Sequence, residues 1–251
     1  IPTITAENES PSHNYYKEGA TFYSMYLQDK LEYDSFIMNA GLRYDAFEPN
    51  TTHIDDLIDP EGGESSSSKK SMWSPRMGVA FPITDQGILH FSYGHFYQMP
   101  TLRKLFLKSI FGAGLSPSIG YGDLKPEKTV MYEFGLQQQL NQFLAINGSV
   151  FFKDIRHLLA LQSIQYNSPT YGPSSYAIYL NKDYAMVKGI TLSLTKRWDS
   201  KSKMSAFLDY SYQTTAQGLD ARLAPPGDLK NPNLYPPDGY LPFMPKDSWD
   251  N

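Results

Sequence analysis

Ser74 to Pro100 reads SPRMGVAFPITDQGILHFSYGHFYQMP. Met77, Val79, Phe81 and Ile83 fall on alternate positions, a turn follows at Asp85, Gln86 and Gly87, and then Leu89, Phe91, Tyr93 and Tyr97 alternate with His90, Ser92, Gly94 and Gln98. A period of two puts successive side chains on opposite faces of a strand. Two such runs joined by a few turn residues predict an antiparallel hairpin with one apolar face.

The same pattern extends in both directions. Upstream, Tyr23, Met25, Leu27 and Leu31 alternate with Ser24, Gln28, Lys30 and Glu32; after Asp34 and Ser35, Phe36, Met38, Ala40, Leu42 and Tyr44 oppose Asn39, Gly41, Arg43 and Asp45. Downstream, Val130, Tyr132, Phe134, Leu136 and Leu140 precede a turn at Asn141 and Gln142, then Leu144, Ile146, Val150 and Phe152. A last pair sets Ile190, Leu192 and Leu194 before a turn through Asp199 to Ser202, then Met204, Ala206, Leu208, Tyr210 and Tyr212. Lys188 and Lys196 share the apolar face there; read as lying near strand ends, they are expected to snorkel to head groups.

Between the pairs lie long connections. Glu48 to Lys70 carries a serine run and a Gly-Gly step and reads as an exposed, mobile loop too hydrophilic to pack. Met99 to Glu127 follows, then Ile155 to Asp183, in which Leu158 to Gln165 and Tyr176 to Asn181 have strand-like content: either a separate hairpin or an extension of the wall. Ala216 to Lys246 is rich in Pro, Gly and Asp. About eight strands joined alternately by short turns and long loops are the pattern of a transmembrane β-barrel, whose strands need about 9 to 11 residues to cross the bilayer. The predicted fold is therefore all-β, an antiparallel up-and-down barrel segment.

Composition narrows the alternatives. The 251 residues are 41% hydrophobic, contain no run of 18 apolar residues, and have a mean hydropathy of -0.44, so no helical membrane span is expected. A net charge of -4 supplies no basic face for nucleic acid. With Cys 0, disulfides, thiolate metal sites and cysteine nucleophiles are excluded. The first residues have neither the basic nor the apolar region of a signal peptide, which predicts a mature or internal fragment. Following strand direction, Tyr23, Tyr44, Tyr93, Tyr97, Tyr132, Tyr210 and Tyr212 are expected to gather toward the long-loop side as an interfacial girdle.

Several blocks resemble the barrel of TonB-dependent outer-membrane receptors, in the branch carrying an N-terminal carboxypeptidase-regulatory-like domain. They are YLQDKLE at Tyr26 to Glu32, NAGLRYDAFEPN at Asn39 to Asn50, the Ser74 to Pro100 stretch, LKPEKTVMYEFGL at Leu124 to Leu136, and YLNKDYAMVKGITLSL at Tyr179 to Leu194. Where the family reads G-N-P-D-L-K-P-E, this chain has Gly120-Tyr121-Gly122-Asp123-Leu124-Lys125-Pro126-Glu127. Pro126 is expected to end the loop and set the next strand's register near Thr129, and Pro75 to sit at a strand start. Asp247 to Asn251 is similar to the family's lead-in to a further strand. The resemblance implies residues 1–251 as part of a barrel of about 22 strands, a separate plug domain, a TonB-contacting segment, localisation in the outer membrane of a Gram-negative bacterium, and uptake of a scarce extracellular nutrient. A complete eight-stranded barrel with a passive structural or adhesion role is the alternative.

Candidate ligand contacts follow from the lumenal face and the loops. Arg43, Asp45, His90, Gln98 and Glu133 face the predicted lumen, although wall charges often pair with one another. Arg103, Lys104, Phe106, Lys108, Phe111 and Tyr121 in the second loop combine cations with rings, and loops on a rigid scaffold are where binding concentrates. Tyr171, Tyr176 and Tyr179 are weaker candidates. His90, Ser92 and His95 do not share a face, so no hydrolase and no catalytic residue is read from them. Asp55, Asp56 and Asp59 depart from calcium-loop spacing and read as a solvated acidic loop; neither a metal nor a cofactor is implied.

Overall fold

The computed structural model describes residues 19–107 and 118–219. In chain order these form β1 (Thr21–Tyr33), β2 (Phe36–Glu48), β3 (Thr52–Ile54), β4 (Glu64–Ser66), β5 (Lys70–Thr84), β6 (Gly87–Gln98), α1 (Leu102–Phe106), β7 (Ser118–Ile119), β8 (Glu127–Asn141), β9 (Leu144–Ser168), β10 (Gly172–Lys196) and β11 (Ala206–Leu219). Eight of the strands make one antiparallel meander, β1-β2-β5-β6-β8-β9-β10-β11, with each strand beside its neighbour in that series. Among the described residues β1 and β11 do not pair, so the sheet is open.

Register confirms the alternation. Leu27 opposes Leu42, Leu42 opposes Pro75, Val79 opposes Phe91, Phe91 opposes Phe134, Phe134 opposes Val150, Val150 opposes Ile190, and Ile190 opposes Tyr212. Cross-strand partners project to the same side, so these apolar residues share one face. The opposite face carries Lys30, Asn39, Gly78, Ser92, Glu133, Phe151, Gly189 and Gln213 in a single paired row. On the inner strands the apolar side chains stay exposed, Phe134 at 50% and Val150 at 47%, as the predicted lipid-facing side requires.

Three sequence expectations change. Pro75 lies inside β5 rather than at its start; pairing to β6 begins one residue later, at Arg76 with Gly94, where the missing donor no longer matters. Of the two readings open for Ile155 to Asp183, extension of the wall holds, because β9 and β10 run unbroken for 25 residues each against 12 to 15 for the other wall strands. They project about 40 Å past the wall and turn at Pro169 to Tyr171. Lys188 is interior to β10, opposite Phe152, while Lys196 curls into the short turn with Nζ 2.9 Å from Asp199 Oδ2 and 2.7 Å from Ser202 Oγ. Of the girdle tyrosines, Tyr23, Tyr44, Tyr93, Tyr97 and Tyr132 lie toward the long-loop end. Tyr210 lies nearer the short-turn end of β11.

Where β9 and β10 leave the wall, the register slips between Asn181 and Tyr184, one extra residue standing in each strand. His157 takes the extra place in β9 with a left-handed φ of 61°. Inserting one residue per strand shifts the side-chain alternation by one step. Below the slip the odd positions of β9 share the face of Ser92 and Glu133; above it the even positions Ile164 and Tyr166 enter a core. Gly120 and Gly122, in the Gly120-Tyr121-Gly122 stretch that stands where the family has G-N-P, sit where side chains cannot: a Cβ on Gly120 would meet the Lys104 carbonyl oxygen at 2.7 Å, and one on Gly122 would meet Thr52 O at 2.6 Å. The Pro, Gly and Asp-rich stretch begins inside β11, and its remainder, with the lead-in at Asp247 to Asn251, lies outside the described residues.

Candidate ligand-facing wall and mouth

The long-loop end is a packed body, contrary to the expectation for the first loop. The β9–β10 hairpin stands in it as a blade. On one side Ile164, Tyr166, Tyr176 and Ile178 pack with Ile54 of β3, Ile119 of β7 and Leu57. Leu159 and Tyr179 border a second cluster of Phe47, Met72, Leu105, Phe106 and Leu124. Phe47 and Met72 project from the polar face of β2 and β5, which places α1 across that face and makes it the lumen. At Ala177 and Ile178, β9 occupies one edge of β10, so β7, paired parallel to the same residues, takes the other.

Polar clamps complete the mouth. The Tyr176 hydroxyl donates to Leu57 O at 2.7 Å and the Ser168 hydroxyl to Glu61 at 2.7 Å. Burial, with Asp56 nearby, pushes the Tyr176 phenol up. Asp123 accepts from the Ser68 backbone N–H at 2.9 Å and its hydroxyl at 2.7 Å, and pairs with Lys70. Burial raises its carboxyl, but the hydrogen bonds from Lys70 and Ser68 outweigh that and hold it below the ordinary value. Asn181 joins the LKPE and YLNKDY blocks: its Oδ1 accepts from Lys125 N–H at 2.8 Å, and its Nδ2 donates to Lys125 O and His157 O, both at 2.8 Å. The loop called mobile and too hydrophilic to pack is thus ordered into β3–β4, because few apolar groups but several polar partners on other loops hold it.

The predicted site residues divide among these places. Arg43 and Asp45 pair along one strand on the lumenal face, Nε to Oδ2 at 2.8 Å and the terminal amino group to Oδ1 at 2.8 Å; Asp45 is buried. Such a fork is strongly directional, and it occupies the groups a ligand would use. His90 lies across Gly135, where a Cβ would come within 2.4 Å of its ring, and its Nε2 is 3.9 Å from Glu133 Oε1. Gln98 ends β6 opposite Glu127. Lys104 projects from α1 with Nζ 5.4 Å from the Tyr179 ring, and Arg103 is exposed beside it. Tyr121 is half-buried, edge-on to His53 at 5.1 Å. Phe106 is fully buried and serves as a core residue: a ligand cannot touch it without dismantling the second cluster. Phe111 and Lys108 lie outside the described residues.

The histidines of β6 divide between the two faces as the alternation implied. His95 is on the opposite face from Ser92, its Nε2 2.6 Å from the Tyr93 hydroxyl. Among the described residues no three His, Asp or Glu side chains converge on a metal position. Sequence reasoning missed Asn181, Asp123 and Arg76; the last sits on the lumenal face with its guanidinium 4.7 Å over Phe96. Arg43, Arg76, Asn39, Ser74 and Ser92 line a trough of about 460 Å³ on that face. The alternation could have found Arg76, whereas the partners of Asn181 and Asp123 are 24 to 56 residues away in sequence and carry no local signal.

Comparison with known proteins agrees with this geometry. The chain is 27% identical over 230 residues to the TonB-dependent heme receptor A of Haemophilus ducreyi, covering 84% of this chain and 29% of that protein. The FrpB iron transporter of Neisseria meningitidis superposes with a TM-score of 0.58 at 19% identity, over 82% of this chain and 28% of that one. The hemophore receptor HasR of Serratia marcescens, solved with its hemophore and heme, does so with a TM-score of 0.59 at 17% identity, over 78% and 34%. The chain thus spans about a third or less of the length of these proteins, matching the open edges of its sheet. Residues 2–249 match the family model described as TonB dependent receptor-like, beta-barrel, and the chain belongs to that family.

Proposed function

We propose that this chain is part of the wall and mouth of an outer-membrane receptor of a Gram-negative bacterium that takes up a scarce extracellular nutrient, using energy delivered through TonB to a plug domain elsewhere in the same protein. The observation that carries the reading is the family match across residues 2–249. Relatives named for heme and for iron favour an iron-bearing ligand, such as heme or a ferric chelate. The closed eight-stranded alternative has no support in the pairing, since β1 and β11 do not meet. The role is transport.

Within this reading Arg103, Lys104 and Tyr121 meet the ligand at the mouth, and Arg43, Asp45, His90, Gln98 and Glu133 line its route along the wall. The test is uptake in the source organism. A strain lacking the full-length gene should lose growth on heme or a ferric siderophore as the sole iron source, and the native gene should restore it. R103A/K104A should restore it with about tenfold weaker apparent affinity at equal surface abundance. Normal growth of the deletion strain on every iron source would overturn the iron assignment. Unchanged affinity in R103A/K104A would move the ligand away from α1.

A further inference from the structure

The apolar face carries one row unlike the others. Tyr97, Lys128, Arg156 and Tyr184 are successive cross-strand partners on β6, β8, β9 and β10. By alternation they share the face of Phe91, Phe134, Val150 and Ile190, so two cations stand directly opposite each other on the lipid side. Cations opposed across an antiparallel pair, with Cβ atoms about 5 Å apart, repel. The row also has a definite height. Lys128 is the second residue of β8, and Tyr97 borders the mouth cluster, so the row lies where wall meets mouth.

Both cations are held in place by rings. Lys128 Nζ is 5.9 Å from the Tyr97 ring centre and the Arg156 guanidinium 5.4 Å from that of Tyr184. Tyr184 in turn lies over Gly218 of β11, where a Cβ would come within 2.7 Å of its hydroxyl oxygen. One carboxylate faces the pair: Asp154, on the same face, accepts from Arg156 Nε at 2.8 Å. Lys188, exposed on β10 beside Phe152, adds a third cation. The patch therefore keeps a positive surplus on the membrane-facing surface, next to the Tyr93 and Tyr132 rings of the girdle. The Arg156 side chain is 53% exposed and that of Asp154 only 28%, so the guanidinium still has an edge facing outward.

We propose that Lys128 and Arg156 bind the phosphate group of an anionic lipid in the outer leaflet. A phosphate between the two opposed cations turns their repulsion into paired charge-assisted hydrogen bonds, and the aromatic girdle sets the depth at which head groups lie. This rests on the outer-membrane placement proposed above but requires nothing about the nutrient.

The test uses the full-length receptor, purified in detergent and stripped of native lipid. Native mass spectrometry would measure retention of a synthetic bisphosphorylated diglucosamine lipid against its phosphate-free analogue. The wild type should retain the phosphorylated lipid selectively. K128Q/R156Q should bind it roughly thirtyfold more weakly, from the ordinary contribution of two cations at a lipid surface, while K128R/R156K should bind as the wild type does. Heat-modified electrophoretic migration confirms that each variant is an assembled barrel. Equal retention of the phosphate-free lipid, undiminished binding by assembled K128Q/R156Q, or displacement of the lipid by inorganic phosphate alone would each overturn the proposal. Membrane fractionation of the same protein separates the premise: absence from the outer membrane overturns both readings, whereas presence there with unselective lipid binding overturns this one only.

Discussion

The wall below the register slip and the mouth above it are built from the same strands yet stabilised differently. In the wall, side chains alternate between two environments, and the apolar ones stay exposed: Phe134 at 50%, Leu192 at 44%. Order there comes from continuous strand pairing, because backbone groups in hydrocarbon have no water to bond. In the mouth, Phe106 and Ile178 are at 0% and Tyr176 and Leu124 at 1%. That is a water-excluding core of the soluble kind, closed by polar clamps between segments distant in sequence. One pair of strands, β9 and β10, changes solvent midway, and the double bulge is where its side-chain alternation is reset to suit.

The largest expected effect that could break this contrast is Phe106→Ala. Removing a fully buried ring costs about 3–5 kcal/mol, and hydrogen exchange at Leu105 and Leu124, which share its cluster, should accelerate while the barrel keeps its heat-modified migration. Phe134→Ala on the lipid face leaves no cavity, since lipid fills the space, so it should cost less than Phe106→Ala and leave the mouth's exchange unchanged. Equal loss of barrel and mouth in the first variant would mean that the two regions are one cooperative unit.

Next in size is Asn181→Leu. It leaves Lys125 N–H, Lys125 O and His157 O without their partner, a loss of about 2–4 kcal/mol at roughly 1 kcal/mol per bond. Faster hydrogen exchange of the Lys125 amide, which has lost its acceptor, would report it. Asn181→Asp keeps an acceptor for the Lys125 N–H but no donor, so it should fall between the two.

A smaller, pH-dependent effect distinguishes the clamp joining the first two loops. The Asp123 carboxyl is held below its ordinary 3.8, so its contribution is full above that value and is lost as pH falls below it. The protection of the Ser68 amide relative to its intrinsic exchange rate should therefore fall in acid for the wild type and be low and flat in D123N. Smallest of all is Asp199→Ala in an exposed short turn. The Ser202 and Lys196 hydrogen bonds hold the Asp199 carboxyl well below the usual carboxylate range, yet only the Lys201 and Ser202 amides should exchange faster, since the turn lies far from the mouth.

The wall was legible because its signal is local. Lipid on one side and lumen on the other write a period of two directly into neighbouring residues, so the hairpin at Ser74 to Pro100 and its counterparts could be read with their faces and nearly their limits. Arg43 and Asp45 were correctly set on the lumenal face by the same logic. The mouth was not legible in that way. Serine and glycine in Glu48 to Lys70 suggested a loose loop, and Phe106 next to two cations suggested a ligand contact; both readings lacked the distant partners that decide the outcome.

Sequence by itself determined the strand pattern, the lipid-facing set, the positions of the short turns, and the family. Tertiary structure alone decided that β9 and β10 continue past the wall, that Asn181 and Asp123 tie the loops together, that Phe106 is core, and that Lys128 and Arg156 stand side by side on the membrane face. The physical reason is range. Alternation is imposed residue by residue by the solvent on each side, whereas a clamp, a buried ring or a pair of opposed cations exists only once strand register has brought together residues that the chain itself keeps far apart.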